Sequence, residues 1–117
     1  MLPKPLSMME KNNKYFSDIL MAIEHIELFS KDIADFIAYE NDLNTQSAIE
    51  RQLGIIGEAL SKLKKTDSSL IIENDHQIIS LRNRLVHAYD SIDNSIVWAI
   101  LKKHLGKLKE EIEAKLS

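Results

Sequence analysis

Where the prolines sit constrains this chain more than any other feature. Both of them, Pro3 and Pro5, fall in the first five residues, and only three glycines follow in the 117-residue sequence. Beyond Pro5 the chain lacks the residue that removes a backbone donor and clashes with the preceding helical turn. It is also poor in the next strongest helix breaker. A chain of this length fits one domain with a modest core, so function is expected at the surface or between subunits. We expect a flexible leading segment over residues 1–11 and a single helical domain over 12–117.

The apolar residues recur at helical spacing. A first helix is expected to begin near Asn12 or Asn13. Tyr15, Ile19, Ala22, Ile26 and Phe29 follow a 4-3-4-3 pattern that places them on one stripe, continued by Ile33, Phe36 and Ile37. Ser30 is a candidate cap for a second short helix, if the first does not simply run on. Asn41-Asp42-Leu43-Asn44 reads as a turn, with Asn44 or Thr45 capping the next helix. There Ile49, Leu53, Ile56, Leu60 and Leu63 repeat the spacing. Gly54 and Gly57 lie inside that helix at about 1 kcal/mol each relative to Ala, and close approach of a neighbouring backbone explains their presence. Leu70-Ile71-Ile72 is a short apolar anchor. Another helix follows from about Asn74 to Ala88. Ser91-Ile92-Asp93-Asn94 offers a fresh cap for a last helix with Val97, Leu101, Leu105, Leu108, Ile112 and Leu116 on one stripe. The expected fold is all-α, an antiparallel bundle of four to five helices.

Composition narrows the chemistry. Cysteine is absent, which excludes disulfides, thiolate zinc sites and cysteine nucleophiles. No apolar run approaches the roughly 18 residues of a membrane span, and no hydrophobic signal core follows the N-terminus. A cytoplasmic protein with no membrane contact is the expectation. The net charge of −3 means that any contact with nucleic acid rests on local positive charge.

One stretch concentrates polar chemistry: Ser80-Leu81-Arg82-Asn83-Arg84-Leu85-Val86-His87-Ala88-Tyr89. On a helical wheel, Ile78, Leu81, Leu85 and Ala88 form one apolar flank, and Ile79 and Val86 a second. Arg82 and Tyr89 fall between them, while Asn83 and His87, four apart, stack at the edge. An arginine within an apolar arc needs a partner or a polar cleft. Two readings stay open: a buried ion pair, with Glu58 as the candidate partner, or a cleft in which Arg82 meets an anion. His25, His76 and His104 read as ordinary surface histidines. His87 differs in its company of arginine, amide and phenol. An imidazole can take and return a proton near neutral pH, and a guanidinium can hold a phosphate and its transition state. Arg82 and His87 diverge by roughly 140° on an ideal helix, so they converge only through the long arginine side chain, a distortion or a second subunit.

Arg82, four residues, His87, one residue and Tyr89 form an R-x4-H-x-Y pattern, and Arg82 to His87 reads RNRLVH. Ser91 to Trp98 contributes Asp93, Ile96, Val97 and Trp98, and Arg51 to Ala59 reads RQLGIIGEA. With these three segments in order, the chain resembles the HepT-like branch of the HEPN superfamily from about Asp18 to Leu116. The resemblance implies a HEPN-like bundle that forms a homodimer, with the two motifs facing a shared cleft. It implies a metal-independent ribonuclease without cofactor, in which His87 is the general acid and base, Arg82 the phosphate contact and Asn83 its support. It further implies the toxin of a type VII-like toxin–antitoxin pair. The partner would be an MntA-like nucleotidyltransferase antitoxin able to transfer AMP to Tyr89. The alternative is a non-catalytic RNA- or nucleotide-binding adaptor subunit of such a transferase. Ala88 stands where the family often has Gly, and the segment Ser68 to Asp75 lacks the family's usual Pro and Trp. These departures bear on loop shape and RNA preference.

Overall fold

The structure, a computed structural model, describes residues 5–87 and 92–116. In chain order it comprises α1 (Leu6–Ser30), α2 (Phe36–Glu40), α3 (Leu43–Thr66), α4 (His76–Val86), α5 (Asn94–Ala99), a π-helical turn (Ile100–His104) and α6 (Leu105–Lys115). No strand occurs among the described residues. The last three elements follow without a break, so the bundle has five rods, within the four to five that periodicity suggests.

Local chemistry sets the ends of these rods. α1 starts directly after Pro5, well before Asn12, because nothing between them interrupts helix propagation. The Pro5 carbonyl accepts from the N–H groups of Met8 and Met9 at 3.0 and 3.1 Å. Ser30 ends α1 rather than capping α2; its hydroxyl donates back to the Ile26 carbonyl at 2.7 Å. The caps of the next helices are aspartates. Asp35 accepts from Ala38 N–H at 2.9 Å and so starts α2. Asp42, not Asn44 or Thr45, starts α3 by accepting from the Thr45 N–H and hydroxyl at 3.0 and 2.7 Å. Asp93 starts α5 through the Ser95 N–H and hydroxyl at 2.9 and 2.6 Å. An N-cap oxygen of this kind satisfies a donor that the helix itself leaves unpaired.

Pairings across the rods fix their directions. Asn12 on α1 donates to Asp67 just beyond α3 at 3.1 Å, and His25 bonds Gln52 at 3.4 Å, so numbers rise on one helix as they fall on the other. α4 repeats the arrangement on the other side of α3. Lys64 pairs with Asp75 at 2.7 Å, and Gly57 and Gly54 lie beneath Arg82 and Leu85. Hence α1, α3 and α4 form one antiparallel layer with α3 in the middle. The last rod covers the inner side of that layer with Val97, Ile100, Leu105, Leu108 and Ile112, all buried. α2 closes one end, where Tyr39 is fully buried 5.6 Å from the Trp98 ring. The shortest extent is 19 Å, two helices thick at the usual 8–10 Å spacing.

Burial follows the stripes with three differences, the first being Ile37 of α2, which is 70% exposed. The α3 stripe Ile49, Leu53, Ile56, Leu60 and Leu63 has no solvent exposure at all. On α1, Ile19, Ala22 and Ile26 are buried together with Phe16 and Ile23, but Phe29 faces solvent beside His25, 6.2 Å between ring centres. In the last rod Ile100 takes the core position expected of Leu101. The π turn then absorbs one extra residue before Leu105 resumes the stripe. No described helix is long and apolar enough to cross a membrane.

The aspartate caps make stability depend on pH with a definite sign. Hydroxyl and then N–H donation from Thr45 holds Asp42 below its ordinary value of 3.8. Ser95 does the same for Asp93. A depressed carboxylate contributes stability that is complete above the ordinary value and is lost as pH falls through the folded one. The thermal midpoint is therefore expected to drop between pH 5 and pH 2. The double variant Asp42→Ser, Asp93→Ser, which keeps neutral caps, should show a smaller drop. Identical pH profiles for the two proteins would disprove the assignment.

Candidate functional site

The site is built on α4, and α3 sets its position. Gly57 is buried at the crossing of the two helices. A Cβ there would lie 2.4 Å from the Arg82 Cβ, closer than atoms tolerate, and 3.1 Å from the Ile78 carbonyl oxygen, a tight contact. Gly57 thus lets the α4 backbone settle onto α3 at the turn that bears Arg82. Gly54 has no such duty, since its Cβ would meet only Leu85 Cδ1 at 3.9 Å. Both glycines suggest close packing from sequence, and the structure assigns it to one.

Arg82 is half-buried. Its stem lies against Gly57, and its Nη1 donates to Asn83 Oδ1 at 3.2 Å. The ion pair with Glu58 that sequence left open is not made. Glu58 instead pairs with Lys62 one turn along its own helix at 3.3 Å. Among the described residues no carboxylate neutralises the Arg82 guanidinium. The helix offers it an amide oxygen, which orients it while leaving its charge available.

His87 caps the C-terminal end of α4. Its N–H donates to the Asn83 carbonyl at 3.1 Å, and its φ and ψ of −106° and 18° leave the helical path. The ring is exposed. The bond to Asn83 keeps the start of His87 on the helix, so α4 does not by itself bring Arg82 and His87 together. Asn83 touches both residues, with its side chain on Arg82 and its carbonyl on the His87 backbone. Tyr89 and Ala88 lie outside the described residues. The flank expected from Ile79 and Val86 is only half realised: Ile79 packs on the core, but Val86 is 60% exposed. Arg84, on the outer side of α4, lies near enough to Asp93 to help hold that carboxylate ionised. Among the described residues no three His, Asp or Glu side chains gather as a metal site.

Comparison with known proteins places these features in context. The model of the family described as Ribonuclease HepT-like matches residues 19–114. A Thermococcus cleftensis protein named "Probable ribonuclease HepT" is 35% identical over 109 residues, covering 90% of this chain and 96% of its own. A Methanocaldococcus jannaschii protein named "Putative RNase" is 33% identical over 109 residues, covering 85% of this chain and 91% of its own. No solved structure gives a significant match.

The two glycines should part ways under mutation. Gly57→Ala is expected to destabilise, because overpacking of roughly 1–3 kcal/mol outweighs the gain of about 1 kcal/mol in helix propensity. Gly54→Ala should be neutral or stabilising by up to about 1 kcal/mol. Urea denaturation of both variants checks this. Equal stability would mean that α4 does not rest on Gly57.

Proposed function

The chain belongs to the HepT-like ribonuclease family, and from that premise we propose that it is a metal-independent endoribonuclease centred on Arg82 and His87. The observation that carries this reading is the state of Arg82. Its stem is pinned against α3 and its head held by Asn83, with no described carboxylate to cancel its charge. A positive group kept oriented and unneutralised on an otherwise acidic protein is suited to an anion, and a guanidinium matches a phosphate in shape as well as charge.

The chemistry is a transesterification. The ribose 2′-oxygen forms a bond to phosphorus as the bond to the 5′-oxygen breaks, leaving a 2′,3′-cyclic phosphate. His87 takes the proton of the 2′-hydroxyl and returns one to the departing 5′-oxygen. Arg82 binds the phosphate and the extra charge of the transition state, and Asn83 keeps Arg82 aimed. Exposure of His87 at a helix end leaves its ring accessible to a strand lying along the surface. With a net charge of −3 the protein should bind RNA through few phosphate contacts, and weakly at high salt.

In the same reading the protein is the toxin of a two-component pair and acts as a homodimer with its motifs facing a shared cleft. A nucleotidyltransferase antitoxin restrains it by modifying Tyr89. The Tyr89 phenolic oxygen attacks the α-phosphorus of ATP, pyrophosphate leaves, and the phenolic proton is released. The AMP adduct sets a phosphate and a base beside Arg82 and His87 and competes with RNA for both.

Cleavage of mixed RNA by the purified chain in EDTA tests the nuclease. His87→Ala is expected to lower the rate by roughly 10²–10⁴-fold. Arg82→Ala should lower it by roughly 10²–10³-fold, and both variants should keep wild-type stability. Activity shared equally by all three proteins would overturn the assignment. RNA binding without cleavage in the wild type would favour the adaptor reading. Absence of an AMP-sized mass increase at Tyr89 after co-expression with an MntA-like nucleotidyltransferase would remove that mode of restraint.

A further inference from the structure

The π turn of the last rod carries a surface that packing alone does not account for. An α-helical stripe puts two or three residues between successive core positions. Ile100 and Leu105 have four between them, because the turn takes in one extra residue. The extra place goes to the solvent side. There Lys102, Lys103 and His104 follow one another, and Lys107 stands four beyond Lys103 on nearly the same line.

These residues break the pattern of the surface around them. Lys14, Lys62, Lys64 and Lys109 meet carboxylates at 3.9, 3.3, 2.7 and 2.8 Å. Lys102, Lys103 and Lys107 meet none among the described residues. Glu111, one turn beyond Lys107, is taken by the N–H groups of Glu73 and Asn74 at 2.6 and 3.2 Å. Lys103 and Lys107 therefore repel each other without relief. Lys102 lies over the Trp98 ring, its Nζ 4.6 Å from the centre, a contact that fixes the side chain and leaves its charge intact. Gly106 is a second irregularity. It is exposed, and a Cβ there would meet nothing within 4 Å, so no neighbour requires its absence. Glycine weakens the helix at that point. In return it leaves a gap bordered by the three lysines, where the backbone of another molecule can come close.

Local rules broken at the surface, with no packing gain, mark a binding site. We infer that the outer face of the π turn holds phosphates of the RNA strand, with Lys102, Lys103 and Lys107 as the contacts and Gly106 as the point of closest approach. The inference rests on the ribonuclease reading and gives the substrate a second hold apart from Arg82. Lysines spread along a surface, rather than gathered about a pocket, suit a chain that repeats its charge. The distance suits it too. Arg84 on α4 lies near Asp93, the cap of α5. Lys102 follows nine residues later, about 14 Å along the rod. A few nucleotides span that interval. On a protein of net charge −3, these cations are the local positive charge that RNA requires.

Fluorescence anisotropy of the full chain with a labelled single-stranded 2′-O-methyl RNA tests the surface. Such a strand lacks the hydroxyl that cleavage needs, so binding is read by itself. The double variant Lys103→Glu, Lys107→Glu should weaken binding about tenfold and lower the slope of log affinity against log salt by about 1.4, the share of two single-strand phosphate contacts. Lys11→Glu, Lys65→Glu has the same net charge but changes exposed lysines at the start of α1 and the end of α3, and it should bind as the wild type does. Gly106→Leu should raise the thermal midpoint, since a helix former replaces glycine in open space, and yet weaken binding. Should the Lys103 and Lys107 reversal fail to fold, Lys103→Gln, Lys107→Gln decides by the same change of slope. Equal weakening by the two double reversals overturns the inference, as does a wild type that leaves this RNA unbound. Wild-type RNA binding by the Lys103→Glu, Lys107→Glu variant overturns it too; if that variant also no longer co-purifies with a co-expressed nucleotidyltransferase, the cations belong to that partner. Cleavage of ordinary RNA with no difference in binding removes the surface and spares the nuclease, whereas the difference in binding without any cleavage does the reverse.

Discussion

The approach of α4 to α3 at Gly57 is the contact on which the arrangement of the site depends. Without a side chain at that position, the Arg82 Cβ and the Ile78 carbonyl settle against the α3 backbone itself. This seats Ile78 and Leu81 in the core and holds the arginine stem in place. The guanidinium then emerges at the border between core and solvent, where it keeps its charge without the full desolvation that would demand a partner. A larger residue would separate the helices and lift the arginine stem away from α3. At the far end of the same layer, Asn12 and Asp67 are buried together, and Asp67 also accepts from the Ser69 backbone and hydroxyl. That polar contact ties the start of α1 to the end of α3, so the layer is held both at its middle and at its margin.

Much of the fold is legible in the sequence, because a helix that buries one face must repeat its apolar residues. The five residues from Ile49 to Leu63 are an example, and each is wholly buried. Capping was less legible. Asn41 to Thr45 holds four residues able to cap a helix, and which one does so depends on where the backbone leaves the helical path. Asp42 wins by accepting twice from Thr45. The start of α1 was hidden for a different reason: exposed Leu6 and Met9 carry no core stripe, although nothing stops the helix from including them.

The site divides in the same way. The presence of Arg82, Asn83 and His87 within six residues is plain from the sequence, but their relation is tertiary. Glu58 was a reasonable partner for Arg82 by position, yet it points along its own helix to Lys62. That Gly57 rather than Gly54 carries the approach follows from the crossing point of two helices, which no single-helix pattern contains. The exposure of Val86 likewise reflects how far the partly covered layer extends, a property of the assembled bundle and not of α4 alone.

The π turn in the last rod bears on how this chain tolerates changes in length. Val97 and Ile100 lie on one side of the turn and Leu105, Leu108 and Ile112 on the other, and the five-residue step between Ile100 and Leu105 keeps both sets facing the core. Removing one residue from Ile100–His104 would close that step to four and leave an ordinary α-helix with an unbroken apolar stripe. The same deletion in α3 would rotate everything beyond it by about 100° and carry buried leucines into water. The turn is thus the point in the bundle where a one-residue deletion is absorbed, and lineages that differ in length here can share the same core.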